Sequence, residues 1–238
     1  MKPTFYALPR GGWRDYVTLL HLPYTAWHLA YVVVGGCLVA EVPWGRLGLT
    51  VLAFFLAMGI GAHALDELAG RPLRTTIPSS VLVALAVGSV AAACAIGIAV
   101  AVGFSLWLLP LIALGAFLVP AYNLELFGGR FHSDAWFGLA WGAFPVLTAY
   151  VACAGTVRAA AVAAAGWATV LSLAQRRLST PVRRARREVA RVSGELELTG
   201  GRREPLTREA LVDAPEAALR LLTLATILVA ATFVAIRL

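Results

Sequence analysis

The stretch GIGAHALDELAGRPLRTTIPSS, residues 59–80, governs how the rest of the chain is read. It closes an apolar run and carries Asp66, Glu67, Arg71 and Arg74, with His63 one helical turn before Asp66. A further apolar run starts just past Pro78. Charged groups at the mouth of a membrane helix are costly to desolvate, so they mark a functional surface or pair with one another. Other apolar segments then read as walls around this spot.

Composition supports the membrane setting. Of 238 residues, 60% are hydrophobic and 14% charged, more apolar surface than a soluble domain of this length carries. Apolar runs predict seven spans near residues 16–40, 47–64, 79–102, 104–121, 135–154, 157–174 and 216–236. The expected fold is an all-α polytopic bundle, a single domain over residues 1–238. The first fifteen residues hold Lys2, Arg10, Arg14 and Asp15 but no apolar core of a cleavable signal, so the first run is expected to stay as a helix. Cys37, Cys94 and Cys153 lie inside apolar runs without metal-ligand spacing and read as small core residues.

The net charge of +7 is concentrated between Arg176 and Arg208. Aromatic residues are not interleaved there, which argues against nucleic acid and for anionic head groups. Residues 175–213 therefore read as a cytoplasmic basic insert. It would hold a helix at head-group level, a small hairpin around Gly200-Gly201, and Asp213 as the cap of the last helix. Most basic residues fall on one side of the predicted spans, and only Arg46, Arg158 and Arg237 on the other. The positive-inside rule then puts the N-terminus and the 59–80 stretch in the cytoplasm, in a multi-pass protein of the cell membrane.

Adjacent carboxylates can hold Mg²⁺, which takes hard oxygens, waters and substrate phosphates, so Asp66 and Glu67 are candidate metal ligands and catalytic groups. Arg71, Arg74 and Arg130 could clamp a diphosphate in bidentate fashion. Pairing of these charges with one another is the plain alternative. A second constellation is His63 and Asp66 with Glu125 and His132, types that bind zinc or iron, although a lone histidine in a bundle is more often structural. Gly35, Gly36, Gly59 and Gly61 read as close-packing positions.

Three stretches resemble the UbiA superfamily of intramembrane prenyltransferases: LHLPYTAW (20–27), HALDELAGRPLRTTIPSSVLVAL (63–85) and AYNLELFGGRFHSDAWFGLAWGAFPVLTAYV (121–151). The resemblance implies a helical membrane enzyme acting on an isoprenoid or lipid substrate, with Mg²⁺ and diphosphate at an aspartate-rich motif. By position it makes Asp66, with Glu67, the metal ligand. His63 and Arg71 fall beside that motif, and Tyr122, Asn123 and Arg130 fall on the diphosphate side. The family's second aspartate-rich motif has no counterpart: SLAQRRLSTPVRRARR (172–187) contains no acidic residue, and its arginines are the alternative source of charge. Two other readings stay open: a UbiA-fold protein that binds a lipid, quinone or partner subunit without transfer chemistry, and a histidine–carboxylate metal enzyme.

Overall fold

The computed structural model describes residues 2–238, and they are helical almost throughout. Helices α1 (Trp13–Leu19) and α2 (Leu22–Cys37) make one bent rod. They are followed by α3 (Trp44–Leu68), α4 (Ser79–Gly103), α5 (Leu108–Asn123) and α6 (Asp134–Ala154). Last come α7 (Ala159–Arg187) and α8 (Arg208–Arg237). Between α7 and α8, β1 (Glu195–Glu197) pairs antiparallel with β2 (Arg203–Pro205), forming the hairpin expected around Gly200-Gly201.

Four helices, α3, α4, α6 and α8, are long and apolar enough to cross a membrane, and the α1–α2 rod makes a fifth. Seven spans are not reached by this measure. The 16 residues of α5 rise about 24 Å, short of a hydrocarbon core of about 30 Å. Helix α7 becomes arginine-rich over its C-terminal turns, where the expected head-group helix continues the sixth rod without a break.

The first rod bends by 44° at His21, which adopts a left-handed conformation (φ 46°, ψ 46°). Pro23 explains the break, since its ring clashes with the carbonyl four residues back and it has no N–H to donate. The last helix also departs from expectation. Its cap is Thr207, whose Oγ1 accepts from the Ala210 N–H at 3.2 Å, rather than Asp213. Glu216, further along the helix, is a buried partner of Arg186, with Arg186 Nη2 donating to its Oε2 at 2.8 Å.

Helix α2 is the central strut. Trp27 and Tyr31 are fully buried against Val146 of α6 and Ala165 and Ala168 of α7. Trp27 Nε1 and Ser172 Oγ both donate to the Tyr31 hydroxyl, at 2.5 and 3.3 Å, so the polar tips of the core are satisfied internally. Lipid is as apolar as a leucine side chain, so association here rests on close packing. At Gly35 a Cβ would stand 2.3 Å from the Val146 carbonyl oxygen, and at Gly142 one would stand 2.6 Å from that of Ala168. Both crossings require backbone against backbone.

Candidate functional site

The acidic pair of the 59–80 stretch divides into two roles. Glu67 is fully buried, and its carboxylate accepts from the Leu73 N–H, the Thr75 N–H and the Thr75 hydroxyl, each at 2.8 Å. It holds the loop after α3. A second buried carboxylate, Asp15 of α1, does the same from the other side. It accepts from the Thr76 N–H at 2.7 Å, the Thr76 hydroxyl at 2.6 Å and the Gly11 N–H at 2.9 Å. Arg71 completes the staple by donating to the Ile77 carbonyl and the Ser79 hydroxyl, both at 2.6 Å. Asp66, one residue before Glu67, makes no hydrogen bond or ion pair with another described residue and lines a cavity. A helix turns about 100° per residue, so neighbours on α3 face different surroundings.

That cavity has a volume of about 460 Å³ and lies where α2, α3, α5 and α7 converge, roofed by residues 3–6. All four histidines of the chain, His21, His28, His63 and His132, line it. Three have their tautomer set by the backbone in the neutral ring. His28 Nδ1 donates to the Trp141 carbonyl at 2.9 Å, His63 Nδ1 to that of Gly59 at 3.1 Å, and His132 Nδ1 to that of Tyr122 at 3.0 Å. Their Nε2 atoms are then acceptors. His21 stacks on His63 with ring centroids 4.1 Å apart, and its Nδ1 meets the Tyr6 hydroxyl at 2.9 Å. Its Nε2 is buried without a partner, in a side chain that lines the cavity.

Helix α7 supplies the opposite charge. Arg176, Arg183 and Arg187 recur at intervals of seven and four residues, which puts them on one helical face, and all three line the cavity. Arg176 is held by Asp134, by the Tyr122 hydroxyl and by the His132 carbonyl. Arg183 bonds only Thr180, at 3.3 Å, and Arg187 Nε is buried without a partner. Burial holds the Arg187 guanidinium below the ordinary arginine range, against the opposing pull of Asp66. Burial likewise pushes the Tyr6 phenol up, so it stays a neutral hydroxyl.

An apolar crevice of about 110 Å³ adjoins the cavity, between α3, α4, α5 and α6. Met58 and Trp141 line both spaces. Each belongs to a π-helical segment, residues 55–62 in α3 and 139–143 in α6. Such segments are rare and recur at functional sites. Exposed Leu49 is part of the crevice wall, so the crevice runs out to the lipid-facing surface.

Among the expected site residues, His63, Asp66, Tyr122 and Asn123 are brought to the cavity. Asn123 Nδ2 also donates to the Val119 carbonyl at 2.7 Å. Glu67 and Arg71 belong to the loop staple, while Arg74 and Arg130 are exposed, and none of these four lines the cavity. A Mg²⁺ ion would find only one uncommitted carboxylate in the acidic pair, because both Glu67 oxygens are taken by the loop. The pair does not fit a two-carboxylate metal site. Among the described residues no group of three or more His, Cys, Asp or Glu is arranged to hold a metal ion. The α7 face was readable from arginine periodicity. Gln175, Ser179 and Tyr6 carried no such signal.

Comparison with protein-family models, with curated proteins and with solved structures gives no match to this chain.

Proposed function

We propose that this protein is a divergent UbiA-type membrane enzyme acting on an isoprenoid or related lipid with a phosphorylated head. The observation that carries this reading is the junction at Met58 and Trp141. There a cavity walled by arginine and histidine shares two wall residues with an apolar crevice whose lining includes exposed Leu49. An amphiphile entering from the bilayer would leave its chain in the crevice and present its phosphates to Arg176, Arg183 and Arg187. Arginine suits that role, because its planar fork matches phosphate oxygens and it stays charged in a partly dry site.

In a transfer reaction the allylic C–O bond breaks and its electron pair leaves with the diphosphate. The arginines stabilise the charge that develops on that leaving group. The acceptor's nucleophile bonds to the allylic carbon, and its proton passes to Asp66, the catalytic candidate. The basic end would face the cytoplasm under the positive-inside rule. The second reading, a lipid-binding protein without transfer chemistry, is favoured by the commitment of Glu67 to the loop and by the missing second acidic motif.

The test is binding and turnover of an isoprenyl diphosphate by purified protein, with Mg²⁺ and with chelator, for wild type, Asp66→Asn and Arg187→Gln. Binding that weakens in Arg187→Gln supports the head-group site. Turnover lost in Asp66→Asn with binding retained supports the enzyme. Binding without turnover in wild type selects the second reading, and absence of binding under every condition sinks both.

A further inference from the structure

The cavity has two chemically different walls, and the anion accounts for only one of them. On α7, Arg176, Arg183 and Arg187 present N–H donors. The same lining holds acceptors: in the neutral ring the Nε2 atoms of His28 and His63, whose Nδ1–H is held by a carbonyl, and the uncommitted carboxyl of Asp66. On α7 itself, beside Arg176, Gln175 adds an amide oxygen that is buried without a hydrogen-bond partner, in a side chain only 4% exposed that lines the same space. A phosphate has no use for these acceptors, since it brings lone pairs of its own. Of these acceptors the Gln175 oxygen is the one buried with its bonding unmet, which costs about 1–3 kcal/mol, so a ligand that satisfies it gains specificity as well as affinity.

Resting on the reading above, we propose that the cavity recognises a phosphate carried beside hydroxyl groups. Arg183 and Arg187 take the phosphate, and His63, Gln175 and Asp66 accept from the hydroxyls. The matching chemistry is a polyol phosphate, either as the head of a lipid or as a soluble co-substrate. A bare phosphate monoester leaves the acceptor wall unsatisfied. A quaternary ammonium head offers no O–H or N–H donor.

The experiment compares two lipids of equal charge in nanodiscs holding the full chain: phosphatidylinositol, which has hydroxyls, and phosphatidylmethanol, which has none. Soluble inositol 1-phosphate distinguishes a free co-substrate from a lipid head. The expected result is a preference of about 10-fold for the inositol lipid, the worth of one or two hydrogen bonds. His63→Phe, which keeps the stacked ring, and Gln175→Leu should each bring the inositol lipid down toward the affinity of the methyl ester. Competition by inositol 1-phosphate at comparable concentration would assign the site to the co-substrate, and its failure to compete would assign it to the lipid head. Equal binding of the two lipids, still weakened by Arg187→Gln, would overturn the acceptor wall and leave the phosphate site standing. No binding of either lipid, or of an isoprenyl diphosphate, would overturn both.

Discussion

The two ends of the bundle use arginine in opposite ways. At one end Arg46 donates to the Cys153 carbonyl at 3.2 Å and lies 3.5 Å over the Phe104 ring. Arg237 there donates to the Cys37 carbonyl at 3.0 Å. Cys153 and Cys37 sit in the last turns of α6 and α2, so these guanidinium groups satisfy carbonyls that a helix leaves without partners. At the other end Arg183 and Arg187 point into a cavity with bonding capacity unused. The comparison shows that charge at a membrane boundary says little until its partners are known. At one end the side chain caps a helix, although the Arg46 Nε is itself buried without a partner, and at the other it lines a cavity with no carbonyl or carboxylate hydrogen-bonded to Arg183 or Arg187 among the described residues.

The sharpest way to break that contrast is the pair Arg183→Gln with Arg187→Gln. It should weaken anionic lipid binding by about 100-fold, with little change in thermal midpoint, because neither group anchors the fold strongly. Arg46→Gln should do the reverse, lowering the midpoint while the folded fraction binds as before. Calorimetric titration beside thermal unfolding checks both, and equal losses at both ends would erase the distinction.

The contrast extends to the acidic pair. Glu67→Ala strands three donors and should cost about 3–5 kcal/mol of stability, read as a fall in unfolding midpoint. Asp66→Asn should leave the midpoint near wild type, and its loss should appear in turnover. Equal destabilisation by the two would mean that Asp66 is also structural.

Smaller effects test the scaffold. Gly35→Ala drives a methyl into the Val146 backbone, so α2 and α6 must separate, at about 1–3 kcal/mol. Arg237→Gln removes one bond to a helix end and should cost about 1 kcal/mol, a fall in midpoint barely resolved by the same assay.

The positions of the helical rods were legible because apolar runs and their breakers carry that information directly. The bend at His21 was half visible, since Pro23 marks a break without giving its angle. Membrane-crossing length was harder, because α5 and α7 are apolar yet short or basic at one end. The π-helical turns were not legible, as their composition is that of any apolar helix. The fate of Glu67 was hidden for a different reason: its partners come from a loop folded back onto it, and no local pattern records that. Arg71 and Arg74 drew attention through proximity in sequence and Arg130 through the resemblance, whereas the arginines that reach the cavity lie on a helix more than a hundred residues from Asp66.

Helix α7 is clamped on two sides, Arg186 to Glu216 of α8 and Arg176 to Asp134 and Tyr122, and the same phase directs Arg183 and Arg187 to the cavity. The clamp fixes the helix in rotational phase. A single residue gained or lost midway along α7 would swing everything beyond it by about 100°, taking Arg183 and Arg187 off the cavity and Arg186 off its partner together. A change of three or four residues would nearly restore the phase. Length in this helix is therefore quantised by the turn, and descendants of this chain can change it only in such steps.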